Sequence, residues 1–242
     1  MNLIFCVGDM GLSHALNMGV LKAIDDGVVT TARVLLDMPG TVNALEELKK
    51  RPWITLIWQP QSLPESNDDL YRKWSEDVEG CIRTYGRAPF AAEFEGVNSS
   101  ADVLRAVCNQ YGINYDYHAR YDIREYDVSG GTGVTFDTYR SYDPFTGIRE
   151  IQDAGSAAMC TLYPGYLDDY MLNTTLRGGD SIRNIHRLQD VLVLCADSLK
   201  NWIIENDVKL VSLSDVIRNR CDYQNRLKAD SNALAVRERR KI

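Results

Sequence analysis

Histidine is the first scarcity of this chain: three in 242 residues, none at ligand spacing from another or from a cysteine. The six cysteines, at positions 6, 81, 108, 160, 195 and 221, are far apart and form no C-x-x-C pair. That spacing excludes zinc knuckles and thioredoxin-type redox motifs. Most of these cysteines lie in apolar surroundings, as inert core thiols do, and a reduced, cytoplasmic setting is the expectation. No stretch approaches the ~20 apolar residues of a membrane-spanning helix. The first residues offer neither the basic region nor the apolar length of a secretory leader. Excess basic charge is missing too, with 27 Lys and Arg against 34 Asp and Glu and a net charge of −7. Nucleic acid and anionic membranes are therefore not expected partners. The one basic cluster, Arg237-Glu238-Arg239-Arg240-Lys241, reads more simply as part of a helical tail.

What is present fits one large α/β domain over 1–242, since 45% hydrophobic and 25% charged residues match a protein with a sizeable core. The organising stretch is the opening run Leu3-Ile4-Phe5-Cys6-Val7, short, apolar and rich in β-formers, which reads as a fully buried strand. Gly8-Asp9-Met10-Gly11 ends it, and Ser13 is placed to cap a helix from about His14 to Asp26. Asp9 then lies at the carboxyl end of a first parallel strand, where α/β folds handle ligands.

Strand-like and helix-like stretches alternate from there. Val28 to Met38, Trp53 to Trp58, Phe90 to Phe94, Ile113 to Tyr117, Ala157 to Leu162 and Val208 to Leu213 read as strands. Thr41 to Lys50, Asn67 to Tyr85, Ser99 to Tyr111 and Ser181 to Asn206 read as helices, with Ser214 capping a short last one. The rhythm breaks over 122–153, which is poor in aliphatics and holds Ser129-Gly130-Gly131-Thr132-Gly133. A long excursion of this kind reads as a lid or an interface. The tail from 218 to 242 reads as peripheral. Repeated βα units imply a parallel sheet wound into a barrel or an open sheet.

The order of these pieces resembles the YdjC-like carbohydrate deacetylases. The resemblance is carried by Gly8-Asp9-Met10-Gly11-Leu12-Ser13, Asn17-Met18-Gly19-Val20-Leu21, Gly27-Val28-Val29-Thr30-Thr31 and Asp37-Met38-Pro39-Gly40. It continues in Tyr163-Pro164-Gly165-Tyr166-Leu167-Asp168-Asp169 and Lys209-Leu210-Val211-Ser212-Leu213. It implies a distorted, TIM-like (β/α) barrel of mostly parallel strands, with the irregular insertion near 122–153. It also implies removal of acetyl groups from chito-oligosaccharides and related sugars with a bound divalent metal.

The chain departs from that family where the chemistry lies. Gly8-Asp9 stands in place of two adjacent aspartates, so by analogy the ligand-type carboxylate survives and the general-base one is lost. The family's histidine after the third strand falls on Ile57 or its neighbour. Its histidine cluster falls within Glu93-Phe94-Glu95-Gly96-Val97-Asn98, and its histidine before Pro-Gly is Tyr163. A hydrolytic metal needs several converging lone-pair donors, and Asp9 alone does not supply them. Glu93 and Glu95 would offer oxygens suited to Mg²⁺ or Ca²⁺. The expectation is a site with no metal and no cofactor.

Its proton-transfer candidates are Asp9, Glu93, Glu95, His118 and Tyr163. Asn17, Trp58, Gln59, Gln61, Arg120 and Tyr166 are its ligand-binding candidates, and Cys160 is a further neighbour. His14 and His186 are expected in surface or packing roles. Three readings stay open: a metal-independent hydrolase, lyase or isomerase acting on a small sugar-like ligand; a non-catalytic relative that binds a ligand or a protein partner; and a deacetylase with a rebuilt metal site. Association of identical copies is left open.

Overall fold

The chain builds β1 (Asn2–Met10), α1 (His14–Asp25), β2 (Thr31–Val34), α2 (Thr41–Lys49), β3 (Thr55–Trp58), α3 (Asn67–Tyr85), β4 (Ala91–Ala92) and α4 (Asn98–Tyr111). Next come α5 (Tyr117–Arg120), β5 (Ile123–Asp127), α6 (Pro144–Arg149), β6 (Ala157–Leu162), α7 (Ser181–Cys195), α8 (Asp197–Glu205), β7 (Lys209–Leu210) and α9 (Leu213–Arg218). This computed structural model describes residues 1–61, 66–94, 98–128, 142–151, 155–169 and 181–220, without the side chains of 98–99 and 181–185.

The strands pair in parallel in the order β4-β3-β2-β1-β6-β5, with β7 beside the start of β1. The opening apolar run is the hub of this sheet. Leu3 to Val7 pair with Ala158 to Leu162 on one side, while Cys6 and Val7 pair with Thr31 and Ala32 on the other. The period-two alternation of a strand sends Leu3, Phe5 and Val7 outwards under the helices. Ile4 and Cys6 turn to the inside, where they meet Ile57, Ala91, Ile123, Met159, Val211 and Leu213. The sheet thus curls into a half-barrel ringed by helices, an α/β fold of distorted TIM-like kind.

Several boundaries differ from the sequence reading. Ile113 to Tyr117 is not a strand: Asn114 makes a single bridge to Ala91, and the chain then turns through Asp116 (φ +51°) into α5. The stretch from 122 holds β5, hidden in the sequence because Arg124, Glu125 and Asp127 give it little apolar content. The expected helix Ser181 to Asn206 is two helices, broken where Ala196 adopts an extended conformation (ψ 138°). The last helix starts two residues earlier than expected, with Ser212 as its cap in place of Ser214 and Asp215 completing a capping box. Residues 129–141 and 221–242 lie outside the described residues. Among those described, no helix is long and apolar enough to cross a membrane.

Asn17 fixes the turn after β1. Its Oδ1 accepts from Gly11 N–H (2.8 Å), and its Nδ2 donates to Gly40 O (2.8 Å) and Asn43 Oδ1 (3.0 Å). Gly11 has φ +99°, and a Cβ there would lie 2.5 Å from Leu35 O, so only glycine is free of strain at this point. The turns at the ends of β1 and β2 are thereby joined beneath the barrel mouth. Asn17→Ala strands buried backbone groups at Gly11 and Gly40 and should cost about 2–4 kcal/mol. A urea titration checks this: the midpoint falls at unchanged slope, and an unshifted midpoint would refute the role.

Candidate active site

Inside the half-barrel, one layer above the apolar bottom, lies a buried ionic cluster. Alternation along β2 turns Thr31 and Arg33 inwards, and Arg33 is only 2% exposed. Its Nη2 lies 2.6 Å from Glu125 Oε1 and 2.7 Å from Glu93 Oε2, and its Nη1 donates to Thr161 Oγ1 at 3.3 Å. Glu93 continues β4, its N–H bonded to Trp58 O (2.9 Å), so it faces inwards like Ala91. Glu125 sits on β5 two residues after the inward Ile123, and Thr161 two after Met159 on β6. Tyr117 donates its hydroxyl to Glu93 Oε2 at 2.5 Å, and Thr161 donates to Glu125 Oε1 at 2.6 Å.

His118 completes the cluster. Its Nε2 lies 3.5 Å from Glu93 Oε1 and 3.5 Å from Glu125 Oε2, while Nδ1 faces Ile123 O at 3.4 Å. Each glutamate therefore gives one oxygen to the guanidinium and turns the other to the imidazole. Burial acts to raise the Glu93 pKa, but His118, Arg33 and Tyr117 outweigh it and bring the carboxyl down to about 2. Burial acts against the His118 charge; the Glu93 and Glu125 carboxylates overcome it and raise that pKa above the usual imidazole value. Arg33 is likewise held charged despite burial, by the two glutamates. Burial pushes the Cys6 thiol up to about 12, so it is no nucleophile at neutral pH.

The second polar group sits at the mouth. Tyr163 lies two residues beyond Thr161, one side-chain layer or roughly 7 Å further out. Asp9, at φ +60° and 8% exposed, is bound by Arg187 Nη2 at 2.7 Å. Arg187 Nη1 also donates to Tyr163 O (3.3 Å), and its guanidinium lies 6.0 Å from the Tyr163 ring centre. Asp190 accepts from Tyr163 N–H (2.9 Å) and from the Tyr142 hydroxyl. The Tyr142 ring stacks on His186 at 4.0 Å. Burial pushes Asp190 up to about 7. A Cβ at Gly8 would come within 2.4 Å of Tyr163 Cε1, so the phenol ring fills the space that a larger residue at position 8 would need.

The candidates from sequence therefore separate. Glu93 and His118 come together, and Asp9 and Tyr163 share Arg187. Gln59 is 6% exposed on the inner face of β3, and among the described residues its Oε1 has no donor. Four expected positions fall elsewhere. Trp58 is 1% exposed on the outer face, edge-on to Trp74 at 5.9 Å. Cys160 is buried on that outer side too. Asn17 is buried, with its amide taken up by the turn. Arg120 lies beside Asn2, Ser156 and Lys209 at the end where strands begin, away from the mouth, because the expected strand before it is a helix. Gln61 and Tyr166 are half-buried, and Glu95 lies outside the described residues. Sequence reasoning missed Arg33, Tyr117, Glu125, Thr161, Arg187 and Asp190. An arginine alternating inwards on a buried strand was the one available signal.

Neither group fits a resident divalent metal. The Asp9 carboxylate is held by a guanidinium. Glu93 Oε1, Glu125 Oε2 and His118 Nε2 do lie within 4.8 Å of one another. Their partner oxygens are already bonded to Arg33, and an ion there would stand beside a buried guanidinium, a like-charge arrangement that the interior disfavours.

No protein-family model matches the chain. Carbohydrate deacetylase 2 of Listeria innocua serovar 6a is 21% identical over 261 residues, covering 89% of this chain and 99% of the relative. Among solved structures, a protein of Enterococcus faecalis V583 provisionally described as acting in cellobiose-phosphate cleavage superposes with a TM-score of 0.67. It is 15% identical and covers 89% of this chain and 98% of its own. A peptidoglycan N-acetylglucosamine deacetylase gives a TM-score of 0.52 at 16% identity, covering 89% and 87%. The structural likenesses show the fold, and the sequence match is a distant similarity of nearly the whole chain to a carbohydrate deacetylase.

Two outcomes are expected of the mouth. Gly8→Ala displaces the Tyr163 ring and should cost about 1–3 kcal/mol, most of it recovered in a Tyr163→Leu background. A double-mutant cycle in denaturant measures the coupling, and additive costs would rule the contact out. Asp190 has a folded pKa raised from 3.8 to about 7, so its contribution is full below about pH 4 and lost as pH rises through 7. Asp190→Asn should therefore narrow the fall in stability between pH 5 and pH 8 by on the order of 1–3 kcal/mol. Parallel pH profiles for the two proteins would contradict this.

Proposed function

We propose that this divergent relative performs metal-independent acid–base chemistry on a small sugar-like ligand, with His118 as the proton-transferring group. The observation that carries the reading is one imidazole facing two carboxylates whose other oxygens a single buried arginine fixes. The sugar-like ligand is suggested by the similar proteins, whose names place them on carbohydrates.

Each group then has a task. Glu93, held down to about pKa 2, is a poor base and stays ionised; its work is to orient His118 and keep it protonated. Glu125 does the same from the other side. His118, whose pKa the two carboxylates raise above the usual imidazole value against the effect of burial, gives a proton to a developing or departing oxygen on the ligand and takes it back. Its Nδ1, beside Ile123 O, fixes the ring so that Nε2 is the working atom. Arg33 stops the two glutamates from repelling each other and locks their geometry. The side chains of Glu93, Glu125 and His118 remain 17%, 29% and 31% exposed, while His118 Nε2 itself is buried, so a ligand reaches it by displacing a neighbouring group. The Gln59 Oε1, buried without a donor among the described residues, suits a ligand hydroxyl.

A reading as a binding protein without turnover draws on different observations. Asp9 is neutralised by Arg187, and Ile57 is apolar where the family carries an imidazole.

The test is a turnover screen with chitobiose and cellobiose in plain, N-acetylated and phosphorylated forms, followed by His118→Asn. This half-exposed residue is a cleaner probe than Glu93, whose loss leaves Arg33 under-compensated and destabilises the fold by a few kcal/mol. His118→Asn should lower kcat by about 10²–10⁴ with the unfolding midpoint kept. Turnover that survives the substitution, or that requires a stoichiometric divalent metal in the purified protein, overturns the reading. Saturable binding with no turnover of any of these sugars decides for the binding protein.

A further inference from the structure

A cavity of about 220 Å³ opens at the other end of the barrel, where β3 and β4 begin and α9 follows β7. Its wall carries two arginines, Arg87 and Arg218, each lying over an aromatic ring. The Arg87 guanidinium is 5.0 Å from the Tyr85 ring centre and donates to the Tyr85 hydroxyl at 2.7 Å. The Arg218 guanidinium is 4.9 Å from the Phe90 ring centre. Stacking holds a guanidinium plane in place and leaves its N–H edge for a ligand. Among the described residues neither arginine has a carboxylate oxygen within 4.0 Å. The one acid of the wall, Asp215, is 3% exposed and accepts from Ser212 N–H and Ser212 Oγ in the capping box, both at 2.9 Å. Hydroxyls of the same wall form a chain, with Thr55 Oγ1 donating to Ser214 Oγ at 3.0 Å and Ser212 Oγ 3.0 Å from Ser214 Oγ.

The surrounding charge has the same sign. A neighbouring depression is lined by three cations, Arg120, Lys209 and Arg220, and by two acids, Asp122 and the shared Asp215. In a chain of net charge −7, a local surplus of cations marks a place where anions gather. Two fixed forks and several hydroxyls match the three terminal oxygens of a phosphomonoester better than a planar carboxylate. The cavity volume suits a compact ligand, and Tyr85, Phe90 and Trp53 offer it apolar wall.

We propose that this end of the barrel is a binding site for a small phosphomonoester, its phosphate gripped by Arg87 and Arg218. The site is separate from the His118 cluster and stands whether or not that cluster is catalytic. Isothermal titration of the full chain with inorganic phosphate, and with a sugar monophosphate against its unphosphorylated parent, tests it. The phosphates should saturate the protein and the parent sugar should not. Arg87→Gln and Arg218→Gln should each weaken binding at least about tenfold, as expected for a charge-assisted bond. Arg149→Gln, an exposed substitution elsewhere, should leave binding unchanged. No saturation by ~10 mM phosphate or monoester, or affinities within about twofold of the parent protein in the Arg87→Gln, Arg218→Gln double variant, overturns the proposal.

Discussion

A guanidinium with 2% exposure holds two glutamates from different strands, and the barrel depends on that contact. In the strand order β4-β3-β2-β1-β6-β5 the sheet has two edges, β4 and β5, and no backbone ladder joins them among the described residues. What spans the seam is charge. Glu93 comes from one edge, Glu125 from the other, Arg33 reaches both from β2, and His118 on α5 closes the far side. A closed barrel needs no such device because its ladder is continuous. Here the cost of burying Arg33 and most of Glu93 is offset because the guanidinium has two carboxylates within 2.7 Å, Glu93 has the imidazole within 3.5 Å on its other side, and hydroxyls from Tyr117 and Thr161 add hydrogen bonds.

The same substitution of an organic cation for an inorganic one recurs at the mouth. Asp9, which the resemblance assigns to a metal, is bonded to Arg187. A guanidinium neutralises a carboxylate as a metal would, yet it offers no open position to water and no Lewis acidity. Gly8 and Tyr163 belong to this change as a pair. Without a side chain at position 8 the phenol ring can lie flat over the strand, and with the ring there no Cβ is accommodated. The two positions are thus one packing unit.

The sequence was legible where local rules dominate. The apolar opening run is the central strand, Ser13 caps α1 through Leu16 N–H, and helices such as Asn67–Tyr85 follow their apolar spacing. It was least legible where an element is defined by its partners. Ile123-Arg124-Glu125-Tyr126-Asp127 has too few aliphatics to announce a strand, because its inward positions face an ionic cluster instead of an oily core. Ile113 to Tyr117 has a strand's composition, yet Asp116 in the left-handed region diverts it, and Arg120 goes to the wrong end with it. His118 and Glu93 were visible as chemistry but not as neighbours, since they are 25 positions apart with the whole of α4 between them. Arg33 was not singled out, because only the fold shows that its inward turn meets two carboxylates.

These observations set the two ends of the barrel apart. Towards the mouth, cations are consumed internally: Arg33 and Arg187 are matched by Glu93, Glu125 and Asp9, leaving a near-neutral lining in which the His118 imidazole and the buried Asp190 carboxyl hold the titratable protons. At the strand-start end, Arg87 and Arg218 rest on aromatic rings, and the acid between them is locked into a helix cap. A neutral, prearranged lining suits an uncharged polyhydroxyl ligand, which needs hydrogen-bonding groups at fixed angles and gains little from a net field. A pair of forks with no carboxylate within 4.0 Å among the described residues suits an anion, which gains from that field. The two proposed sites lie at opposite ends of the barrel and would take different molecules. Because Arg33 is fixed by the fold at one end and Arg218 lies over the Phe90 ring at the other, neither set of charges needs the other to be in place.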